Sequence, residues 1–355
     1  QEYGGISRYF YELVHQFSEC FEVNNHVSLL LSNNYYISNK KYINHINFLS
    51  NNHIPGKRKV INIANKLNTI LNLKKKNFDV FHPTYYDPYF LKYLDDKPFV
   101  LTVYDMIHEK FSDNFSPDDE ISKHKKILVK KASKIIAISK NTKSDLIKFW
   151  GIDKSKIDVI YLGNSMIPPS NNRYDLNIPK KYLLFVGRRG SYKNFDRFLK
   201  SIITLLLKDR DLFVICVGGG RFSVREVQQF NEFNVSNQIL QYNLDDKNLA
   251  YFYKNALAFI FPSLYEGFGI PILESFTCGC PLICSNVSSL PEVAGEAALY
   301  FDPYNENSIE HAVIRVLENF TLKEDLIRKG YKELEKFSWK KTAEQTKKIY
   351  ENLIL

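Results

Sequence analysis

Between residues 182 and 301 the chain alternates short apolar runs with longer amphipathic ones, and this alternation limits the fold more than any other feature. Runs 182–186, 212–217, 238–241, 258–261, 281–284 and 298–301 read as strands buried on both faces, with helical patterns over 195–207, 222–233 and 246–255 between them. Strands that take turns with helices build parallel sheets covered on both sides. The first half repeats the pattern less cleanly. Strands are predicted at 27–31, 79–82, 99–104, 135–138 and 158–161, and an Asn-rich stretch at 33–56 reads as an insertion. Helices are predicted from Ile6, around 61–71 with Ile61, Ala64, Leu67 and Leu71 on one face, and from the Ser116-Pro117-Asp118-Asp119 start to about Ala132.

A chain of 355 residues exceeds what one core supports. The Pro- and Asn-rich stretch near 166–180 reads as a linker. The expected class is α/β: two facing Rossmann-like domains, 1–165 and 181–336, with a deep cleft between them. Segment 337–355 is expected to be a helix that returns to the first domain. The first domain opens on a Gly4-Gly5 turn rather than a strand, so a short preceding strand is expected to be missing.

No run of about 18 uncharged apolar residues is present, which excludes a spanning helix in this sequence. Five cysteines without disulfide or metal-ligand spacing, and no visible secretory leader, point to a reducing compartment and a cytoplasmic protein. The net charge of +9 is unevenly placed: residues 1–165 hold 24 Lys/Arg and 17 Asp/Glu, residues 166–355 hold 24 and 22. A basic first half suits nucleic acid, an anionic membrane surface or a phosphorylated substrate, and equally a solvated face. No G-x-G-x-x-G follows a strand, no Walker lysine turn occurs, and Asp209-Arg-Asp211 precedes its strand, at the wrong end for a metal–diphosphate site. No metal site and no cofactor are expected.

Two stretches carry chemistry. Phe261-Pro-Ser-Leu-Tyr-Glu266-Gly267-Phe268-Gly269-Ile270-Pro271-Ile-Leu-Glu274 places two glutamates around a Gly-x-Gly turn that leads into a helix. The amides from Phe268 to Ile270 would point at an anion, although a glutamate near a helix start is also favoured by the macrodipole alone. Gly187-Arg188-Arg189-Gly-Ser-Tyr-Lys193-Asn follows a strand, where Arg188 and Lys193 suit a diphosphate and equally a solvated turn. At first-half strand ends stand His82, Tyr104, Asp105, His108 and Ser139. Functional groups of doubly wound sheets gather at such ends.

With these residues in view, nearly the whole chain resembles the retaining glycosyltransferases of family 4, with the GT-B fold, and most of all their bacterial polysaccharide and O-antigen branch. The E-x7-E signature is Glu266 to Glu274; Gly279-Cys-Pro281, Leu290-Pro-Glu292-Val-Ala-Gly295, the Gly-Arg-x4-Lys-Asn turn, Gly4-Gly5 and the Ser139 strand end also match. The resemblance implies that Arg188 and Lys193 hold the donor diphosphate and stabilise its departure. Glu266 would contact the sugar and Glu274 the ribose. The backbone at Gly187, Gly267, Phe268, Gly269 and Ile270 would line the donor, with Gly5 closing over the diphosphate. His82, Tyr104, Asp105 and Ser139 would lie near sugar or acceptor. Many relatives have histidine where Tyr104 stands, and a phenol is a poor base at neutral pH. The implied donor is a nucleotide sugar, GDP-mannose first, and the acceptor a lipid-linked oligosaccharide at the inner membrane face. The basic helices near Lys57–Lys76 and Lys123–Lys131 would meet anionic lipid, and nucleic acid is not an expected partner. An epimerase of the same fold and a non-catalytic partner subunit are the alternatives.

Overall fold

The computed structural model describes residues 4–21, 23–34, 36–37, 43, 45–48, 56–116, 118–169 and 178–355. The chain divides into two compact units, Gln1–Gly163 with Ser338–Leu355, and Asn164–Phe337.

The first unit begins with α1 (Gly5–Cys20), then the strand pair β1 (Leu31–Ser32) and β2 (Ile46–Asn47), and α2 (Lys57–Lys74). Its main sheet is parallel, in the order β3 (Val100–Val103), β4 (Lys134–Ala137), β5 (Ile157–Val159), with α3 (Ile107–Lys110), α4 (Ile121–Lys131) and α5 (Lys140–Trp150) in the connections. Two strands expected here are shorter than their sequence pattern suggests. The run at 79–82 contributes one parallel bridge, Phe81 to Phe99. In the run at 27–31 only Leu31 enters a strand, because Asn65 of α2 accepts from the amides of Leu30 and Leu31 and donates to the Leu31 carbonyl. A side-chain amide takes the place of a neighbouring strand. The helix expected from Ser116 begins at Ile121. Ser116 and Asp119 close turns on the amides of Asp118 and Ile121 instead, and Pro117 lies outside the described residues.

The C-terminal helix, Trp339–Ile354, starts at a Ser338 cap and packs on the first unit. Thr342 donates to the Tyr161 carbonyl at 2.7 Å, and Ile349, Tyr350 and Leu353 join Val100, Ile136 and Ile160 in one apolar cluster. Gly163 lies so close to this helix start that a Cβ would stand 2.2 Å from the Trp339 nitrogen, so no larger residue fits there.

The second unit is built on one six-stranded parallel sheet. In chain order its elements are β6 (Lys181–Val186), α6 (Phe195–Lys208), β7 (Leu212–Val217), α7 (Val224–Glu232), β8 (Ile239–Tyr242), α8 (Asp246–Asn255), β9 (Ala258–Phe261), α9 (Ile270–Thr277), β10 (Leu282–Ser285), α10 (Leu290–Ala294), β11 (Ala298–Phe301), α11 (Glu306–Glu318) and α12 (Phe320–Leu334). The spatial order β8-β7-β6-β9-β10-β11 is that of a doubly wound dinucleotide-type sheet. Its strands are almost wholly apolar because helices cover both faces. On one face Phe198, Leu199 and Ile202 of α6 join Ile309 and Val313 of α11 in one apolar cluster. Truncating one of these buried phenylalanines costs about 3–5 kcal/mol. Of the expected linker, residues 170–177 lie outside the described residues, and Met166 is buried, its amide donating to Asn164 Oδ1 at 3.0 Å.

Candidate functional site

The sheet order reverses between β6 and β9, the first strand to be laid down and the first of the returning half. Sheets of this kind open a crevice at the carboxyl ends of the two strands flanking such a reversal. The turn after β6 and the segment after β9 meet there. Lys193 Nζ donates to Glu266 Oε1 at 2.6 Å, with both side chains largely buried, and the Leu264 amide donates to the Tyr192 carbonyl at 2.7 Å. Lys193 also lies over the Tyr192 and Phe261 rings, at 5.5 and 5.6 Å. An ammonium held between a carboxylate and two ring faces is fixed in place and strongly coupled to any further charge that enters.

Local chemistry sets this turn. Gly187 takes φ 126°, and Ser191 and Asn194 take left-handed φ values of 56° and 59°, which bends the chain tightly before α6 begins at Phe195. The two adjacent arginines have separate fates. Arg189 is buried: it bonds Glu226 Oε1 at 2.5 Å, donates to the carbonyls of Gly218, Gly220 and Arg221, and lies 4.6 Å from the Phe222 ring centre. Burial works to raise the Glu226 carboxyl, but Arg189 and Ser223 outweigh it and hold it below its ordinary value. Arg188 is exposed and has no hydrogen bond or ion pair among the described residues. Arg189 therefore clamps the turn to the glycine loop after β7, and Arg188 is the cation presented to solvent. The sequence reading passed over Arg189; the signal for it was the Gly218-Gly219-Gly220 run, whose carbonyls it collects. Gly219 is close enough to this turn that a Cβ would lie 2.9 Å from the Gly187 oxygen.

After β9, Ser288 and Ser289 fix the backbone at Glu266. Both hydroxyls donate to its carbonyl, at 2.7 and 2.9 Å, and its amide donates to Ser288 Oγ at 3.2 Å. Gly269 caps α9 with φ 102° and is hemmed in by Leu290, Ile272 and Phe261. The amides of Gly269 and Ile270 meet no acceptor among the described residues, as expected of a helix start. Glu274 is buried within α9 and accepts from Tyr253 of α8 at 3.2 Å. Burial, then the charge of Glu274, pushes the Tyr253 phenol well above its ordinary value, so it remains a donor. Glu266 thus faces the cation turn, and Glu274 is held against α8. Gly267 and Phe268 are buried in the turn between them.

In the first unit the expected pocket residues are mostly engaged elsewhere. His82 contacts Tyr350 of the C-terminal helix at 2.5 Å through Nδ1 and Thr102 at 2.9 Å through Nε2, while Tyr9 shares the same Thr102 hydroxyl at 3.2 Å. Burial pushes the imidazole down to about 3, so it is neutral. Ser139 caps α5, accepting from the Thr142 amide and donating to its hydroxyl. Both side chains are thus hydrogen-bonded within the unit. Tyr104 donates to the Thr84 carbonyl at 3.3 Å, and burial raises its phenol well above the ordinary range. Asp105 accepts from the Ile107 amide through Oδ1, and its other oxygen has no partner among the described residues. His108 stacks on Phe115 and pairs with Asp119 at 3.3 Å. Gly5 is the first residue of α1, behind Gly4 at φ 142°. Among the described residues no group of three or more His, Cys, Asp or Glu side chains is placed to hold a metal ion.

A reversal-point crevice that gathers a buried lysine–glutamate pair, an exposed arginine and open helix-start amides fits a nucleotide-binding unit. Residues 169–333 match the family described as Glycosyl transferases group 1, and residues 3–164 match Glycosyltransferase Family 4. The chain belongs to these GT-B glycosyltransferases. It is 30% identical over 254 residues to O-antigen chain mannosyltransferase B of Escherichia coli, covering 67% of this chain and 66% of that protein. It is 28% identical over 218 residues to O-antigen chain mannosyltransferase RfbU of Salmonella typhimurium, covering 60% and 59%. The chain thus spans about two thirds or less of the length of these two relatives. Among solved structures it resembles HepE of Anabaena in complex with UDP and glucose, with TM-score 0.76, 14% identity and coverage of 98% and 96%. WaaG, a glycosyltransferase involved in lipopolysaccharide biosynthesis, gives TM-score 0.73 at 14% identity, with the same coverage.

Proposed function

We propose that this protein is a retaining hexosyltransferase that moves mannose from GDP-mannose to a hydroxyl of a lipid-linked glycan in cell-surface polysaccharide synthesis. The observation that carries the reading is the Lys193–Glu266 pair at the reversal point, with Arg188 exposed on the same turn. In this reading the donor diphosphate draws Lys193 toward itself and Arg188 closes on it. Two cations then neutralise the charge that develops on the leaving phosphate, a role worth several kcal/mol of barrier. The amides of Gly269 and Ile270 add donors to the same anion. Glu266, its backbone held by Ser288 and Ser289, accepts from sugar hydroxyls, and Glu274, steadied by Tyr253, accepts from the ribose.

The acceptor hydroxyl attacks the anomeric carbon on the face the diphosphate leaves. The new C–O bond forms as the old one breaks, and the proton passes to the departing phosphate oxygen. No side-chain nucleophile is needed, and charge neutralisation falls to Arg188 and Lys193 without a metal. In the first unit Asp105 is the pocket residue with an oxygen to offer an acceptor; Tyr104 shapes the wall beside it. The names of the relatives support mannose and the O-antigen, and a Campylobacter jejuni relative, 27% identical over 210 residues, is named for a diphospho-undecaprenol substrate. Such an acceptor places the enzyme at the cytoplasmic membrane face.

A thermal-shift panel of nucleotides and nucleotide sugars tests the donor. A ligand at 100 times its dissociation constant adds about 2.7 kcal/mol of stability. GDP and GDP-mannose are expected to give the largest shifts, and turnover in EDTA is expected to match turnover without it. A panel in which no nucleotide shifts the melting temperature, or an epimer formed from donor alone, would remove the transferase reading.

A further inference from the structure

The stretch Asp105-Met-Ile-His108-Glu109 leaves the end of β3 to form α3, and it is built around a lysine that has no access to solvent. Lys125 of α4 donates to Glu109 Oε2 at 2.8 Å and to the Asp105 carbonyl at 3.0 Å, and it lies 5.3 Å from the centre of the Tyr86 ring. An ammonium is costly to bury unless its partners are fixed, so these contacts tie both ends of the stretch to α4. Next to it, the Tyr86 hydroxyl accepts from the Tyr104 amide at 3.0 Å. The backbone that presents Asp105 is thus held from two elements.

On that base stand groups that the fold leaves incomplete. The Glu109 side chain is 5% exposed, yet its Oε1 has no hydrogen-bond partner, and the Nδ1 of the adjacent His108 is buried without one as well. One oxygen of Asp105 is open among the described residues. Buried polar atoms in folded proteins are nearly always paired. Leaving them open costs free energy that an arriving hydroxyl recovers. Around these atoms stand Asp119, 3.3 Å from His108 Nε2, and Tyr85, which is 39% exposed. Burial, then the charges of Asp105 and Asp119, raises the Tyr85 phenol above its ordinary value, so the three share one neighbourhood.

From this placement we infer that the end of β3 is a subsite for a neutral terminal sugar of the acceptor glycan, with Lys125 as the residue that positions it. The inference rests on the proposed function and names the substrate class for the same site. A pyranose has an apolar C–H face and a rim of hydroxyls. Tyr85 covers the face, and Asp105, Glu109 and His108 meet the hydroxyls. Charge decides against a phosphorylated group at this point. Glu109 cancels Lys125, and Asp105 and Asp119 remain as two carboxylates, of which even a protonated His108 offsets only one. A phosphate would there meet like charge. The lipid diphosphate of the acceptor therefore lies at least one sugar away from the sugar that is extended. The reaction that supplies the substrate is another glycosyl transfer, one that has already added a neutral sugar to the first lipid-linked one.

Initial rates with GDP-mannose and two pairs of octyl diphosphate acceptors test it. One pair carries mannose or α-mannosyl-mannose, the other N-acetylglucosamine or α-mannosyl-N-acetylglucosamine. In at least one pair the disaccharide is expected to exceed the monosaccharide in kcat/KM by about tenfold or more. Asp119→Asn and Tyr85→Ala, at partly exposed positions, are expected to raise the acceptor KM about tenfold, with the donor KM within about twofold of wild type and the thermal shift by GDP retained. Lys125→Met/Glu109→Gln removes both buried charges together and is expected to raise the acceptor KM in the same way. A fall in kcat at unchanged acceptor KM would make that pair structural only. Preference of wild type for the monosaccharide diphosphates, or an unchanged acceptor KM in Asp119→Asn and Tyr85→Ala, overturns the subsite. So does the absence of turnover of all four probes by a protein that GDP stabilises, and the donor reading then stands. A protein that no nucleotide stabilises fails the transferase reading, and the subsite falls with it.

Discussion

Lys193 and Glu266 are separated by 73 positions in the chain and meet at 2.6 Å, because β6 and β9 are neighbours where the sheet order reverses. Each residue is held from behind. The Arg189 clamp locks the turn that carries Lys193, and Ser288 and Ser289 lock the backbone of Glu266. The pair is therefore positioned without a ligand, and in the proposed reading a diphosphate entering the crevice would exchange one anionic partner of Lys193 for another. Little side-chain ordering remains to be done at that moment, which is the condition under which fixed charges lower a barrier most.

Replacing Lys193 by alanine is expected to lower kcat/KM by 10²–10³-fold, about 3–4 kcal/mol of transition-state stabilisation. Most of the loss should fall in kcat, since the charge it meets grows as the diphosphate leaves. Steady-state rates with GDP-mannose and a synthetic acceptor measure this. A loss smaller than threefold would show that Lys193 is only the structural counterion of Glu266.

The two neighbouring arginines make a paired test. Arg189→Ala breaks a buried ion pair and abandons three carbonyls, and is expected to cost roughly 3–5 kcal/mol of stability. Arg188→Ala, at an exposed position, is expected to leave the melting temperature within about a degree and to weaken donor binding by about tenfold. Thermal melts and calorimetric titration with GDP separate the two outcomes. Equal effects of both substitutions on stability would contradict the division of labour.

Gly269→Ala places a Cβ 3.1–3.3 Å from Leu290, Ile272 and Phe261 at φ 102°. Strain of that kind costs on the order of 1–3 kcal/mol. Because the proposed reading assigns donor binding to the amides at the start of α9, the substitution is expected to lower donor affinity as well as the melting temperature. Retention of both would mean that the turn relaxes without moving the helix start.

Periodicity alone made the second unit readable, because a buried parallel strand leaves no other option for runs such as 258–261 and 298–301, both of which fall on the observed strands. The first unit was harder, for a physical reason. Asn65 satisfies backbone groups that a neighbouring strand would otherwise satisfy, so the pattern at 27–31 predicts more strand than forms, and the apolar face of α2 is left outward. Single-residue fates were less legible still. Nothing in Arg188-Arg189 says which guanidinium turns inward; that depends on carbonyls contributed by Gly218, Gly220 and Arg221. His82 looked like a strand-end group, yet the helix that occupies its Nδ1 begins more than 250 residues later.

That histidine gives a prediction of opposite character, for stability and pH. The folded unit holds His82 neutral, with its pKa pushed down to about 3 by burial, whereas the unfolded chain titrates near the ordinary value of about 6.5. Between those values the unfolded state binds more protons, so stability rises with pH across this window. The contribution is fully present above about pH 6.5 and is lost progressively as the pH falls toward 3. By pH 4.5 the loss from this one group is roughly 2–3 kcal/mol. Urea melts at pH 7.0 and 4.5 on wild type and His82→Gln measure it. The amide cannot be protonated in this range, so the variant is expected to be the less stable protein at pH 7, where it forfeits the Tyr350 and Thr102 contacts, yet to lose less between the two pH values. Identical pH slopes for the two proteins would mean that the imidazole accepts its proton without disturbing the seat of the C-terminal helix.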